Sequence, residues 1–191
     1  MRHVSGTLIL AVTLLWTGCG GSPNAPSSPA NLTVMLKDSP YSDAKALLVT
    51  FSDVSAHSSG DSWMTLPFAG GATSRTCDLK KLATAQDILG TGTLAAGHYT
   101  QIRLTVANAA LYFDNASAGA ACAPSIAAPP GQSTQVGVPS GEVKLTREFD
   151  VSSSGATTIL VDFDGDQSIK QTGAGAFLMM LVISVVSVLG R

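Results

Sequence analysis

Apolar and polar residues alternate through much of this chain, and the clearest stretch is Leu94 to Phe113, LAAGHYTQIRLTVANAALYF. Within it Ile102, Leu104 and Val106 alternate with Gln101, Arg103 and Thr105. That period of two turns one face of a strand to a core and the other to water, so the stretch predicts a central strand. Upstream, Leu32, Val34 and Leu36 alternate with Thr33, Met35 and Lys37 until the turn signal Asp38-Ser39-Pro40. In Ala46 to Ala56 the buried parity runs Leu47, Val49, Phe51 and then changes to Val54 and Ala56, which predicts a bulge near Ser52 and Asp53. A short strand from Trp63 to Leu66 would pair back as a hairpin after the turn Ser58-Ser59-Gly60-Asp61.

Cys77 to Leu89 is ambiguous, because Leu79, Leu82, Gln86 and Leu89 fall at helical spacings while the start also suits a strand. It is read as a short strand followed by at most two helical turns. Ala116 to Gln135, with Pro124, Pro129, Pro130 and Gly131, predicts a long surface loop. Val143, Leu145, Phe149 and Val151 share one parity, interrupted by Arg147, and Ile159, Val161 and Phe163 share another. The last run, Phe177 to Leu189, is nearly all apolar and too short for a membrane span of about 20 residues. It predicts a strand buried on both faces or covered by a loop. These signals define an all-β chain with at most one short helix. Tyr99, two residues after Gly97, can tie its hydroxyl back to nearby backbone, which resembles the tyrosine corner of Greek-key sandwiches.

At 191 residues the chain fits one domain with one core. Its charge of −2, with Lys and Arg scattered, disfavours a phosphate-backbone partner, so no nucleic acid is expected. The N-terminus changes the picture more. Arg2 and His3, the apolar Leu8 to Trp16 and the small residues before Cys19 form an export signal over residues 1–18. The sequence Thr17-Gly18-Cys19 looks like a bacterial lipobox, with Trp16 where Leu is usual. Cys19 would then be the first mature residue and carry the acyl chains, palmitate among them. The alternative is an ordinary secretory signal with an incidental cysteine. Gly20, where Asp would retain such a protein at the inner membrane, resembles an outer-membrane address. Residues 19–30 have the Gly/Ser/Pro composition of a flexible tether, leaving 31–191 as the domain. In an exported chain Cys77 and Cys122 are expected to pair, the alternative being two separate buried thiols.

Candidate chemistry is sparse. Asp162, Asp164 and Asp166 stand at alternate positions in VDFDGDQS, an oxygen cluster of the kind calcium requires. It departs from the EF-hand loop, with Gln167 at the glycine position and Gly173 at the bidentate-glutamate position, and the alternative is a solvated turn. Asp38 and Asp43 flank a turn that could lie at the same end. His57 and His98 are the mature chain's only candidate bases and no GxSxG elbow is present, so no enzyme is expected. Zinc lacks ligand spacing. Trp63 and Tyr41, if they share a surface, would form a sugar-stacking platform.

The phrases VMLKDSP (Val34 to Pro40), VTFSDVSAH (Val49 to His57), AGHYTQIRLTV (Ala96 to Val106), VPSGEVKL (Val138 to Leu145) and VDFDGDQSI (Val161 to Ile169) share an order and spacing. In these the chain resembles the bacterial domain of unknown function (DUF) 4382 family. The resemblance implies a lipid-anchored or secreted β-sandwich, immunoglobulin-like or prealbumin-like, at bacterial surfaces, with no established activity, and the sandwich is expected to be antiparallel. The expected partners are the membrane, through the N-terminal lipid, and a glycan or envelope protein met by the loops. An alternative is an assembly lipoprotein whose last strand adds to a partner sheet.

Overall fold

The computed structural model describes residues 29–60, 63–153 and 155–190. The expected export signal, Cys19 and the expected tether as far as residue 28 lie outside the described residues. In chain order the strands are β1 (Pro29–Ser39), β2 (Ala46–Ser58), β3 (Trp63–Thr65), β4 (Arg75–Asp78), β5 (Asp87–Ala95), β6 (Gly97–Tyr112) and β7 (Cys122–Ala123). They continue as β8 (Ser133–Gly137), β9 (Glu142–Val151), β10 (Ala156–Asp164), β11 (Ile169–Gln171), β12 (Phe177–Met179) and β13 (Ile183–Gly190). The strands form two sheets, so the all-β sandwich expected from the alternation is present. A four-stranded sheet runs β13-β10-β1-β5; the larger runs β11-β12-β8-β6-β2-β4-β7, with β3 on β2 and β9 on β6.

The core lies between the two. Leu32, Val34 and Leu36 of β1 and Ile159, Val161 and Phe163 of β10 meet Leu47, Val49 and Phe51 of β2 and Ile102 and Leu104 of β6. All are fully buried, each removing enough apolar surface to contribute about 1.5–3 kcal/mol. Phe51 meets Phe163 edge to face, centroids 6.5 Å apart.

β6 is the central strand of the larger sheet, pairing with β2, β8 and β9. The predicted Leu94–Phe113 strand is broken at Ala96, where the chain leaves the small sheet at the end of β5 and enters the large one. The Tyr99 hydroxyl donates to the Ala95 carbonyl at 2.9 Å, fastening that change of sheet. Such a bond contributes about 1 kcal/mol. The parity change in β2 is a bulge: Phe51 faces Val106 and Asp53 faces Thr105, leaving Ser52 unmatched.

The pairing departs from a purely antiparallel sandwich at β1–β10 and β8–β12, which are parallel. A parallel pair needs a long connection, and β2 to β9 lie between β1 and β10. The Cys77–Leu89 segment resolves into the end of β4, a 3-10 turn Leu79–Ala83 that buries Leu79 and Leu82, and the start of β5. Cys77 and Cys122 are directly opposite on β4 and β7 and are joined by a disulfide across 45 residues. Arg75 and Asp87 brace it. Arg75 Nη2 lies 3.0 Å from Asp87 Oδ1, and Asp87 Oδ2 accepts from the Cys122 N–H at 3.1 Å.

The apolar run from Phe177 is not one buried strand. It divides into β12, in the larger sheet, and β13, at the edge of the smaller, and β13 is half exposed. The crossing between sheets separates them at Met180 to Val182.

Candidate functional site

The acidic phrase VDFDGDQS sits where β10 ends and the four-residue helix α1 (Gly165–Ser168) begins. Its carboxylates have separate tasks. Asp162, on the outward face of β10, pairs with Lys37 of β1 at 2.6 Å. Asp164 caps α1 by accepting from the Gln167 N–H at 2.8 Å. Asp166 is exposed in the first turn of α1. No group of three or more His, Cys, Asp or Glu side chains placed to hold a metal ion occurs among the described residues.

The rest of the phrase binds distant chain together. Ser168 is fully buried; its carbonyl accepts from Met180 N–H at 2.8 Å and its Oγ from Val182 N–H at 2.9 Å, fixing the crossing from β12 to β13. The Asp164 N–H donates to the Val182 carbonyl at 2.9 Å. Gly165 N–H donates to Asp38 Oδ1 at 3.0 Å. A Cβ at Gly165 would lie 3.1 Å from that oxygen and 3.2 Å from the Tyr41 nitrogen, so a larger residue would have to push these neighbours back by a few tenths of an ångström.

Asp38 was legible only as a turn residue near this end. Its carboxyl is buried, with Oδ2 lacking a partner. Burial pushes its pKa from the usual 3.8 up to about 8; the Gly165 N–H and Lys80 oppose the rise, and Asp162 and Asp164 add to it. At neutral pH this carboxyl is protonated.

Beside it, Tyr41 packs edge-on against Phe177 with centroids 6.5 Å apart, and Phe177 lies 6.0 Å from Phe113. Phe113 and Phe177 line an open cleft of about 540 Å³ together with Gln132, Ser133, Thr134 and Gln171. Sequence reasoning missed this grouping. Phe113 directly follows β6 and Phe177 starts β12 after a Gly-Ala turn, and no local pattern links them. A second hollow of about 460 Å³ lies between Lys37 and the residues Leu82 to Gln86.

Tyr41 and Trp63 do not form one platform. Tyr41 precedes β2 and Trp63 pairs with His57 near its far end, about 35 Å along the strand at roughly 3.3 Å per residue. The Trp63 ring is also occupied: the Arg103 guanidinium is 4.4 Å from its centroid and the His57 ring 4.8 Å. Arg103 in turn donates to Ser55 Oγ at 3.0 Å and faces Asp53 and Glu142. His57 Nδ1 is 3.1 Å from Thr100 Oγ1, and the exposed His98 Nδ1 is 2.9 Å from Asp150 Oδ1.

A family profile described as a domain of unknown function (DUF4382) matches residues 29–180. No curated protein and no solved structure matches the chain.

Proposed function

The chain belongs to the DUF4382 family, and from that premise we propose a non-catalytic cell-envelope module, held at the outer membrane by acyl chains on Cys19, that binds a neutral glycan. The observation that carries this reading is the cleft between Phe113 and Phe177. Sugar rings present C–H faces that stack on aromatic rings, and their hydroxyls exchange hydrogen bonds with amides and hydroxyls. The cleft supplies both sets: two phenyl rings, the amides of Gln132 and Gln171, and the hydroxyls of Ser133 and Thr134. None of these side chains is charged, which favours a neutral ligand. Both histidines of the mature chain are engaged away from the cleft, with Thr100 and Asp150, which supports the non-catalytic reading.

Affinity electrophoresis of the full chain through gels loaded with a panel of neutral polysaccharides tests it, with a polyanionic polysaccharide for comparison. Gln132→Ala with Gln171→Ala changes two exposed side chains. At about 1 kcal/mol per lost hydrogen bond, the double variant should bind about 30-fold more weakly. Migration unaltered by every neutral polysaccharide, or retardation unchanged in the double variant, would overturn the proposal.

A further inference from the structure

The two edges of the four-stranded sheet are unequal. At β5 the segment after β3 covers the edge: the Thr91 N–H donates to the Pro67 carbonyl at 3.0 Å, and Phe68 bridges to Gly90. At the opposite edge β13 pairs with β10 alone among the described residues. Natural edges are blunted by Lys, Pro, inward charges or bulges. From Phe177 to Gly190 the sequence FLMMLVISVVSVLG has no Lys, no Pro and no charge. The one irregularity of the edge is a bulge, where Leu160 faces Ser187 and Val161 faces Val185, and its extra residue is Val186. Met180, Val182, Val186 and Leu189 are 56, 43, 49 and 63% exposed; the other large apolar side chain so exposed among the described residues is Ile88 at 38%.

We propose that β13 is a self-association edge whose occupant is the β13 of a second copy of this chain, paired antiparallel about a two-fold axis. Three features favour a second copy. A two-fold axis sets a segment against itself, so any charge near the axis would meet a like charge; this run carries none. The β-branched content of Ile183 to Val188 suits cross-strand packing. Each chain has one open and one covered edge on this sheet, so pairing closes at two copies and does not grow into a fibre. Two four-stranded sheets then join into one of eight strands. This inference is independent of the glycan reading, because the cleft residues belong to the other sheet and its loops.

Sedimentation velocity of the full chain in detergent micelles tests it, against a Val182→Lys, Val186→Lys variant that places two like charges on each edge. The expected result is a dimer for the natural chain and a halving of protein mass in the variant. Disulfide trapping with Val186→Cys keeps the test decisive should the lysine variant not fold: oxidation should give a covalent dimer absent from the natural chain. A monomeric natural chain at every concentration, as expected if the edge receives a different protein, would overturn the proposal. So would a dimer that survives the two lysines, or no covalent dimer from Val186→Cys.

Discussion

Asp38→Asn should stabilise this protein increasingly as pH rises from about 4 to 8. With its pKa moved from 3.8 to about 8, Asp38 is protonated in both folded and unfolded chains below pH 3.8. Between the two values the unfolded chain is ionised while the native carboxyl keeps its proton, so unfolding releases a proton. Stability therefore falls with rising pH across this window and levels above about 8. At about 1.4 kcal/mol per pH unit the ceiling is about 6 kcal/mol. Relaxation of the neighbouring dipoles toward the anion reduces it, and we expect about a third, or about 2 kcal/mol, worth about 4–8 °C in midpoint at this size. Asparagine preserves the geometry: Oδ1 still accepts from Gly165 N–H, and a neutral amide replaces the partnerless Oδ2. Urea unfolding of both proteins at several pH values from 5 to 9, compared as a difference, isolates Asp38 from the other titrating groups. Parallel curves would refute the reasoning. A variant that becomes less stable than the natural chain toward neutral pH would show instead that Asp38 is ionised and held by Lys80.

Two further outcomes follow from the same geometry. Replacing Cys77 and Cys122 together by Ala releases a 45-residue loop, so the thermal midpoint should fall by the equivalent of about 4 kcal/mol; a loss under about 1 kcal/mol would show that the link contributes little. Adding calcium should leave the midpoint unmoved relative to chelator, because Lys37 neutralises Asp162 and Asp164 serves as a cap. A bound ion at a hundred times its dissociation constant would add about 2.7 kcal/mol, and a rise of that order abolished by Asp164→Ala would make the cluster a cation site.

Strands β1, β2, β3, β6, β9 and β10, the Ser52 bulge and the Tyr99 tie are legible in the sequence because each is written locally, and the cysteine pair is favoured by number once Cys19 is set aside; β7 and the start of β8 instead fall inside the stretch Ala116 to Gln135 that reads as a loop. Alternation reports which face of a strand is buried, and it says nothing of which strand lies alongside. The parallel placement of β1 beside β10 and the meeting of Phe113 with Phe177 are facts of neighbourhood, carried by residues far apart in the chain. Asp38 illustrates the limit most sharply. Asp38-Ser39-Pro40 reads as a wet turn, yet the Gly165 backbone, 127 residues away, meets the carboxyl and helps close it from solvent.

The last apolar run reads as doubly buried for a reason that also explains how it is placed. A strand register is specified when one face is apolar and the other polar; Phe177 to Leu189 lacks that contrast, and uniform apolarity suggested burial on both sides. Its placement comes from elsewhere, through the paired bonds of Ser168 to Met180 and Val182. The acidic phrase that drew notice as a metal loop thus acts as a clamp, joining the end of β1 through Asp38 and the crossing to β13 through Ser168. Because the clamp fixes β13 by its backbone at Met180 to Val182, the side chains beyond need not bury themselves to hold the strand in place. Their exposure and lack of charge leave an uncharged edge, and that is the feature on which the proposed pairing with a second copy rests.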